Sequence, residues 1–217
     1  MGPEDVEIEG LMDNGSDDLT PEQAYSLRQS LWELFRVLLA AVVLAGVFLV
    51  FFRASLVRGS SMEPTLHDGD CILVRTAGYD APQQGDIVAI KAKDREGKHL
   101  VKRVIALEGD TVHIDFETGS VFVNGQRLEE PYAAEPTYLT GEMIFPVTVP
   151  PGCCFVLGDN RNHSSDSREA AVGMVPLERV VGKAVFRFMP LETIGGLYDN
   201  LEGSAQTGVG MELVPVE

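Results

Sequence analysis

A mainly β domain behind one amino-terminal transmembrane helix is the architecture that the 217-residue sequence predicts. Three observations lead there. One long uncharged apolar run, Val37 to Phe52, lies near the start of the chain. From about Val57 the sequence becomes a succession of short runs rich in branched residues, separated by Gly, Pro and Asp, which is strand-and-turn patterning. Within it, Asn124-Gly125 separates two such runs, a two-residue hairpin signal.

The length suits one well-buried domain with appendages. The formal charge of −16 belongs to the ends: residues 1–30 carry eight acids against Arg28, and residues 191–217 carry five acids and no base. Both read as solvated tails. The remainder is close to ordinary balance and contains no basic stripe, so nucleic acid is not an expected partner. Cys71 and the vicinal Cys153-Cys154 have no second paired cluster at metal spacing. They read as three small thiols, largely buried, and neither a metal nor a cofactor is expected.

In chain order, residues 1–30 form an acidic segment ending in a helix start. Thr20 stands as cap, Pro21 at the first helical position and Gln23 at the capping-box position. The anchor is placed at 31–53. Its sixteen-residue apolar heart spans roughly 24 Å of helix, with Arg36 and Arg53 able to snorkel. The long acidic lead and the lack of a small-x-small site argue against a cleaved leader. Arginines flank the run on both sides, so the charge rule leaves the orientation open. The domain is placed at 54–190. Strands are expected at Cys71–Arg75, Gly85–Lys91, Leu100–Leu107, Thr111–Phe116, Ser120–Val123, Gln126–Leu128, Cys153–Leu157 and Val180–Met189. Residues 191–217 read as a tail adding little to the core.

Three stretches carry chemistry. In Arg58-Gly59-Ser60-Ser61-Met62-Glu63-Pro64, the proline bars a helix from starting, and a glycine-preceded serine presents its hydroxyl beside free backbone N–H groups. By itself this is also ordinary loop chemistry. In His99 to Leu107, alternation puts Lys102 with Leu100, Val104 and Ala106, and Arg103 with Val101, Ile105 and Leu107. Both faces are apolar. A desolvated lysine loses its proton far more readily than a guanidinium and becomes a usable base for a neighbouring serine. An edge strand with both stems snorkelling is the plain alternative. The third stretch, Gly158 to Arg168, is a polar loop at the end of an apolar strand. It can order itself through side-chain-to-backbone bonds and present Ser164 or Ser165 to a lysine, with Asp166 and Arg168 as an ion pair.

These stretches, with Gly85-Asp86-Ile87-Val88 and Gly109-Asp110, occur in the order found in bacterial type I signal peptidases, and the chain resembles that family from about residue 31 to 190. The resemblance implies a signal-peptidase-like β-barrel or sheet domain, and a Ser–Lys dyad that cuts signal peptides from exported preproteins. Ser61 is then the nucleophile, Lys102 the general base, Ser164 the lysine-orienting hydroxyl, and Asp166 with Arg168 a structural pair. The Ser61 backbone N–H would hold the oxyanion. Some members add a hydroxyl two residues earlier, where this chain has Gly59, so the second donor would come from backbone there. Glu169-Ala170-Ala171-Val172 departs from the aromatic residues many members carry. The single span resembles the shorter, Gram-positive style. A monomer at the cell membrane is implied, amino terminus cytoplasmic and domain outside, with the lipid bilayer and emerging preproteins as partners.

Chain length agrees. Arg53 to Ser60, fully extended, reaches at most about 27 Å, so the serine stays near a bilayer that holds its substrates. Met62 and Val101, and more weakly Ile72 and Val57, are the expected lining for small substrate side chains at −1 and −3, with the substrate adding as a strand. Three rivals stand beside this reading: a Ser-His-Asp site using His163 with Asp159 or Asp166, an autoproteolytic repressor of the same fold, and an inactive tethered protein that binds leader segments. The anchor and the lack of a basic DNA-binding segment count against the repressor.

Overall fold

The computed structural model describes residues 21–79, 81–93 and 98–198. The amino-terminal unit is a helix, α1 (Pro21–Phe51), that is long and apolar enough to cross a membrane from Arg28 to Phe51. Its apolar stretch, in which Leu and Ala are good helix formers, gives the helix an apolar surface on every side. The expected Thr20 cap and the acidic segment before it lie outside the described residues. The helix also stops earlier than the sequence suggested: Phe52 and Arg53 belong to a strand, paired with Arg75 and Val74.

The second unit is mainly β, as expected. Its strands are β1 (Phe52–Leu56), β2 (Cys71–Arg75), β3 (Ile87–Lys91), β4 (His99–Leu107), β5 (Thr111–Asp115), β6 (Ser120–Val123), β7 (Gln126–Arg127), β8 (Val147–Thr148), β9 (Cys153–Leu157), β10 (Val175–Pro176), β11 (Val180–Met189) and β12 (Gly195–Gly196). One sheet runs β1-β2-β11-β3-β4-β9-β10, with β12 added beside β11; a smaller one runs β7-β6-β5-β8. Every pairing is antiparallel. Among the described residues the large sheet ends on β1 and β10, which do not pair, so there it is open rather than a closed barrel. Asn124 and Gly125 turn between β6 and β7 with φ of 53° and 77°, as a two-residue hairpin requires.

Pleating assigns the apolar side chains to three packed groups. The first contains Val57, Met62, Leu66, Ile72 and Ile87; the second Ile105, Ala106, Phe155 and Leu157; the third Val88, Ile90, Val104 and Val156. The expected alternation along β4 does not persist to its end. A bulge against β9 between Val104 and Ala106 changes the phase, so Ala106 joins Ile105, while Leu107 packs with Leu100 and Val104.

Residues 191–198, assigned to the tail by the sequence, fold onto the sheet. Beyond β12, Leu197 is buried, and the Tyr198 hydroxyl accepts the Ile87 N–H at 2.8 Å and donates to the Ala184 carbonyl at 3.0 Å. A single aromatic residue thus bridges β3 and β11, a long-range contact that no local sequence pattern announces. The three thiols are free. Cys154 is buried, which pushes its pKa up to about 12, and Cys71 and Cys153 are half-buried.

Candidate active site

After β1 the chain enters a turn held from both directions. Met62 and Leu66, 1 % and 0 % exposed, anchor it in the first apolar group, and the Leu66 N–H donates to the Met62 carbonyl at 2.8 Å. From above, Asn160 donates its backbone N–H to the Ser61 carbonyl and its Nδ2 to the Ser60 carbonyl, both at 3.1 Å. Burial of Met62 leaves the half-buried Ser61 on the other side of the turn, and among the described residues the Ser60 and Ser61 N–H groups have no acceptor.

Lys102 lies on β4 opposite Val88, is 2 % exposed, and brings Nζ within 2.6 Å of Ser61 Oγ. Burial among aliphatic neighbours pushes its pKa down to about 8, against the opposing pull of the Asp166 and Asp159 carboxylates. The amine is therefore neutral often enough near physiological pH to accept a proton, and its acceptor distance to the hydroxyl is that of a hydrogen bond.

The neighbouring arginine cannot shed its charge and is matched instead. Arg103 meets Asp159 in a two-point pair, Nε to Oδ1 at 2.8 Å and a terminal nitrogen to Oδ2 at 2.6 Å, with both side chains buried. Asp159 Oδ2 also accepts the Thr65 hydroxyl at 2.5 Å, tying the turn to β4. The Tyr132 ring lies 3.9 Å from the Arg103 guanidinium carbon, a stacking contact that covers the charge. Asp166 and Arg168 form the expected pair at 2.8 and 2.9 Å, and Arg168 extends to the Leu139 carbonyl. Arg161 forms a third pair, with Glu130 at 2.6 Å.

Ser61 and Lys102 are thus brought together, and Asp166 and Arg168 are joined beneath the loop. Met62, Val57 and Val101 line a cleft of about 500 Å³ that is also lined by Ser61 and Lys102. Two expectations need correction. Ile72 is fully buried in the packed group behind Met62 and Val57, so it supports the cleft wall without lining it. Gly59 does not offer its N–H to an oxyanion, because Asp68 Oδ1 accepts it at 2.7 Å. The Ser164 Oγ is buried and, among the described residues, has no hydrogen-bond partner, Lys102 included. It is packed so closely on Gly158 that a Cβ there would fall 2.2 Å from Ser164 Oγ and 2.4 Å from the Ser61 carbonyl oxygen.

His163 is exposed on a short 3-10 turn (Arg161–His163), while Asp159 and Asp166 are committed to arginines, which removes the Ser-His-Asp alternative. Sequence reasoning missed the Arg103–Asp159 pair and the Asn160 clamp. The signal for the first was present: an arginine between apolar residues on a strand must find an anion.

A family model described as "Signal peptidase, peptidase S26" matches residues 31–189. The chain is 40 % identical over 187 residues to signal peptidase I of Bacillus licheniformis, covering 81 % of this chain and 98 % of that protein. It is 39 % identical over 197 residues to probable signal peptidase I-2 of Synechocystis sp., covering 86 % of each. To signal peptidase I T of Bacillus subtilis it is 39 % identical over 166 residues, covering 71 % and 83 % respectively.

Proposed function

The chain belongs to the signal peptidase family, peptidase S26, and we propose that Ser61 and Lys102 are the nucleophile and general base with which it acts. It is a membrane-anchored serine peptidase that removes signal peptides from preproteins. The observation that carries the residue assignment is the 2.6 Å approach of a buried amine to an otherwise free hydroxyl.

Neutral Lys102 takes the Ser61 Oγ proton as the oxygen attacks the scissile carbonyl carbon. The resulting oxyanion is held by the unpaired Ser61 N–H. Lys102, now an ammonium, passes its proton to the departing amine of the mature protein, leaving the signal peptide as an ester on Ser61. Water then gives a proton to Lys102 and attacks the ester, and Lys102 returns the proton to Ser61 Oγ. During the acyl stage the Ser61 oxygen no longer carries a proton to share. The unpartnered Ser164 hydroxyl is then the group proposed to orient Lys102.

The substrate lies extended in the cleft, with its small −1 and −3 side chains against Met62, Val57 and Val101. Two free edges support strand addition there: β1 ends the sheet, and β4 pairs with β9 only from Arg103 onward, so its first half is open on that side. The enzyme works as a monomer, with its amino terminus cytoplasmic and its domain on the outer face.

Ser61→Ala and Lys102→Ala, made separately in the full chain, are each expected to abolish cleavage of a precursor with alanine at −1 and −3. Retained cleavage by Lys102→Ala would overturn the dyad. Protease accessibility of residues 54–190 in sealed cells tests the orientation.

A further inference from the structure

The nucleophile turn has a second restraint, on the side away from Asn160. Residues 57–59 and 68–70 run beside each other. The Val57 N–H donates to the Asp70 carbonyl at 2.8 Å, and the Gly69 N–H to the Val57 carbonyl at 3.0 Å. The inner end is firm, because Asp70 is buried, accepts the His67 N–H, and pairs with Arg187 at 3.0 Å. At the outer end backbone pairing ceases, and the next donor, the Gly59 N–H, is taken by the Asp68 carboxylate at 2.7 Å.

Gly59 has φ of +87° and no Cβ, so its own backbone preferences restrain it little. A charge-assisted hydrogen bond from the Gly59 N–H to an exposed carboxylate therefore closes the turn two residues before Ser61. It also turns the Gly59 N–H toward Asp68, while among the described residues the Ser60 and Ser61 N–H groups stay unpaired.

We propose that Asp68 is a positioning residue for the nucleophile: by holding Gly59, its carboxylate sets the direction of the Ser61 hydroxyl and N–H. The inference rests on Ser61 being the nucleophile. Asp68 acts through Gly59 and not on the reacting atoms, so its loss should lower kcat. The cleft lining, Met62 and Val57, is fixed in the core, so KM should be preserved.

The test compares full-length Asp68→Ala and Asp68→Asn with the unaltered enzyme, measuring kcat, KM and melting temperature on a purified precursor. For Asp68→Ala, kcat is expected to fall roughly 10- to 100-fold, the scale of sub-ångström to 1 Å misalignment, with KM and melting temperature unchanged. Asp68→Asn retains an oxygen that can accept the Gly59 N–H and should recover most of kcat. Wild-type kcat in Asp68→Ala overturns the proposal. So does an equal loss in Asp68→Asn, a parallel rise in KM, or a loss that tracks a fall in melting temperature. Ser61→Ala separates the two levels: if it still cleaves, the nucleophile assignment fails. If it is inactive while Asp68→Ala is fully active, the role of Asp68 alone falls.

Discussion

Lys102 Nζ stands 2.6 Å from Ser61 Oγ, across 41 residues of chain, and almost no solvent reaches the amine. A charged ammonium in that setting loses most of its hydration, and the two nearby carboxylates only partly replace it. One consequence governs both catalysis and stability: folding lowers the proton affinity of this lysine, bringing its pKa from 10.5 to about 8.

For catalysis, kcat/KM should rise about tenfold per pH unit at low pH, bend near pH 8 and level off above it, because only the neutral amine is a base. A pH–rate profile on a precursor checks this. A bend near pH 10 would show a solvated lysine.

For stability, the sign is opposite to that of an ion-paired lysine. The pKa falls from 10.5 unfolded to about 8 folded, so between these values the unfolded chain binds more protons and stability rises with pH. The cost is fully present below pH 8 and gone above about 10.5. Lys102→Met should therefore be inactive yet more stable near pH 7 by up to about 3 kcal/mol, with the gain shrinking as pH rises. Urea unfolding of both forms at several pH values measures it.

Arg103→Met leaves the Asp159 carboxylate buried without its partner and should cost about 3–5 kcal/mol. Arg103→Met combined with Asp159→Leu should restore much of that loss, because the desolvation penalty then leaves with both charges. Denaturant melts of the single and double variants decide the matter.

Tyr198→Phe keeps the ring but strands the Ile87 N–H between β3 and β11, at a cost of about 1–3 kcal/mol. Thermal unfolding checks it, with precursor cleavage at low temperature expected to persist.

Much of the fold was legible because its signals are local. Branched runs, Asn124-Gly125 and the apolar stretch each specify short-range geometry through pleating, turn chemistry or burial, and the eight expected strands fell within a residue or two of where those signals put them, whereas β1, β8, β10 and β12 carried no such signal. The errors arose where local signals conflict with a packing partner. Phe52 is apolar and reads as helix, but pairing with Arg75 claims it for β1. The bulge between Val104 and Ala106 is imposed by β9, and nothing in the β4 sequence announces it. Residues 191–198 carry no strand pattern and adjoin the acidic end of the chain, yet the Tyr198 hydroxyl alone finds two buried backbone groups.

The sequence by itself determined the chemical inventory: a serine in a turn, a lysine forced among aliphatic residues, a polar loop, and an apolar helix before them. Residue type and spacing carry that much, since charge, reactivity and hydrophobicity belong to side chains wherever they sit. Only the tertiary structure decided the pairings and directions. It set Lys102 on Ser61, Arg103 on Asp159, and Ile72 behind the cleft wall, and it gave the Gly59 N–H to Asp68. The reason is physical: hydrogen bonds and desolvation depend on ångström distances between groups far apart in the chain, which no local pattern encodes.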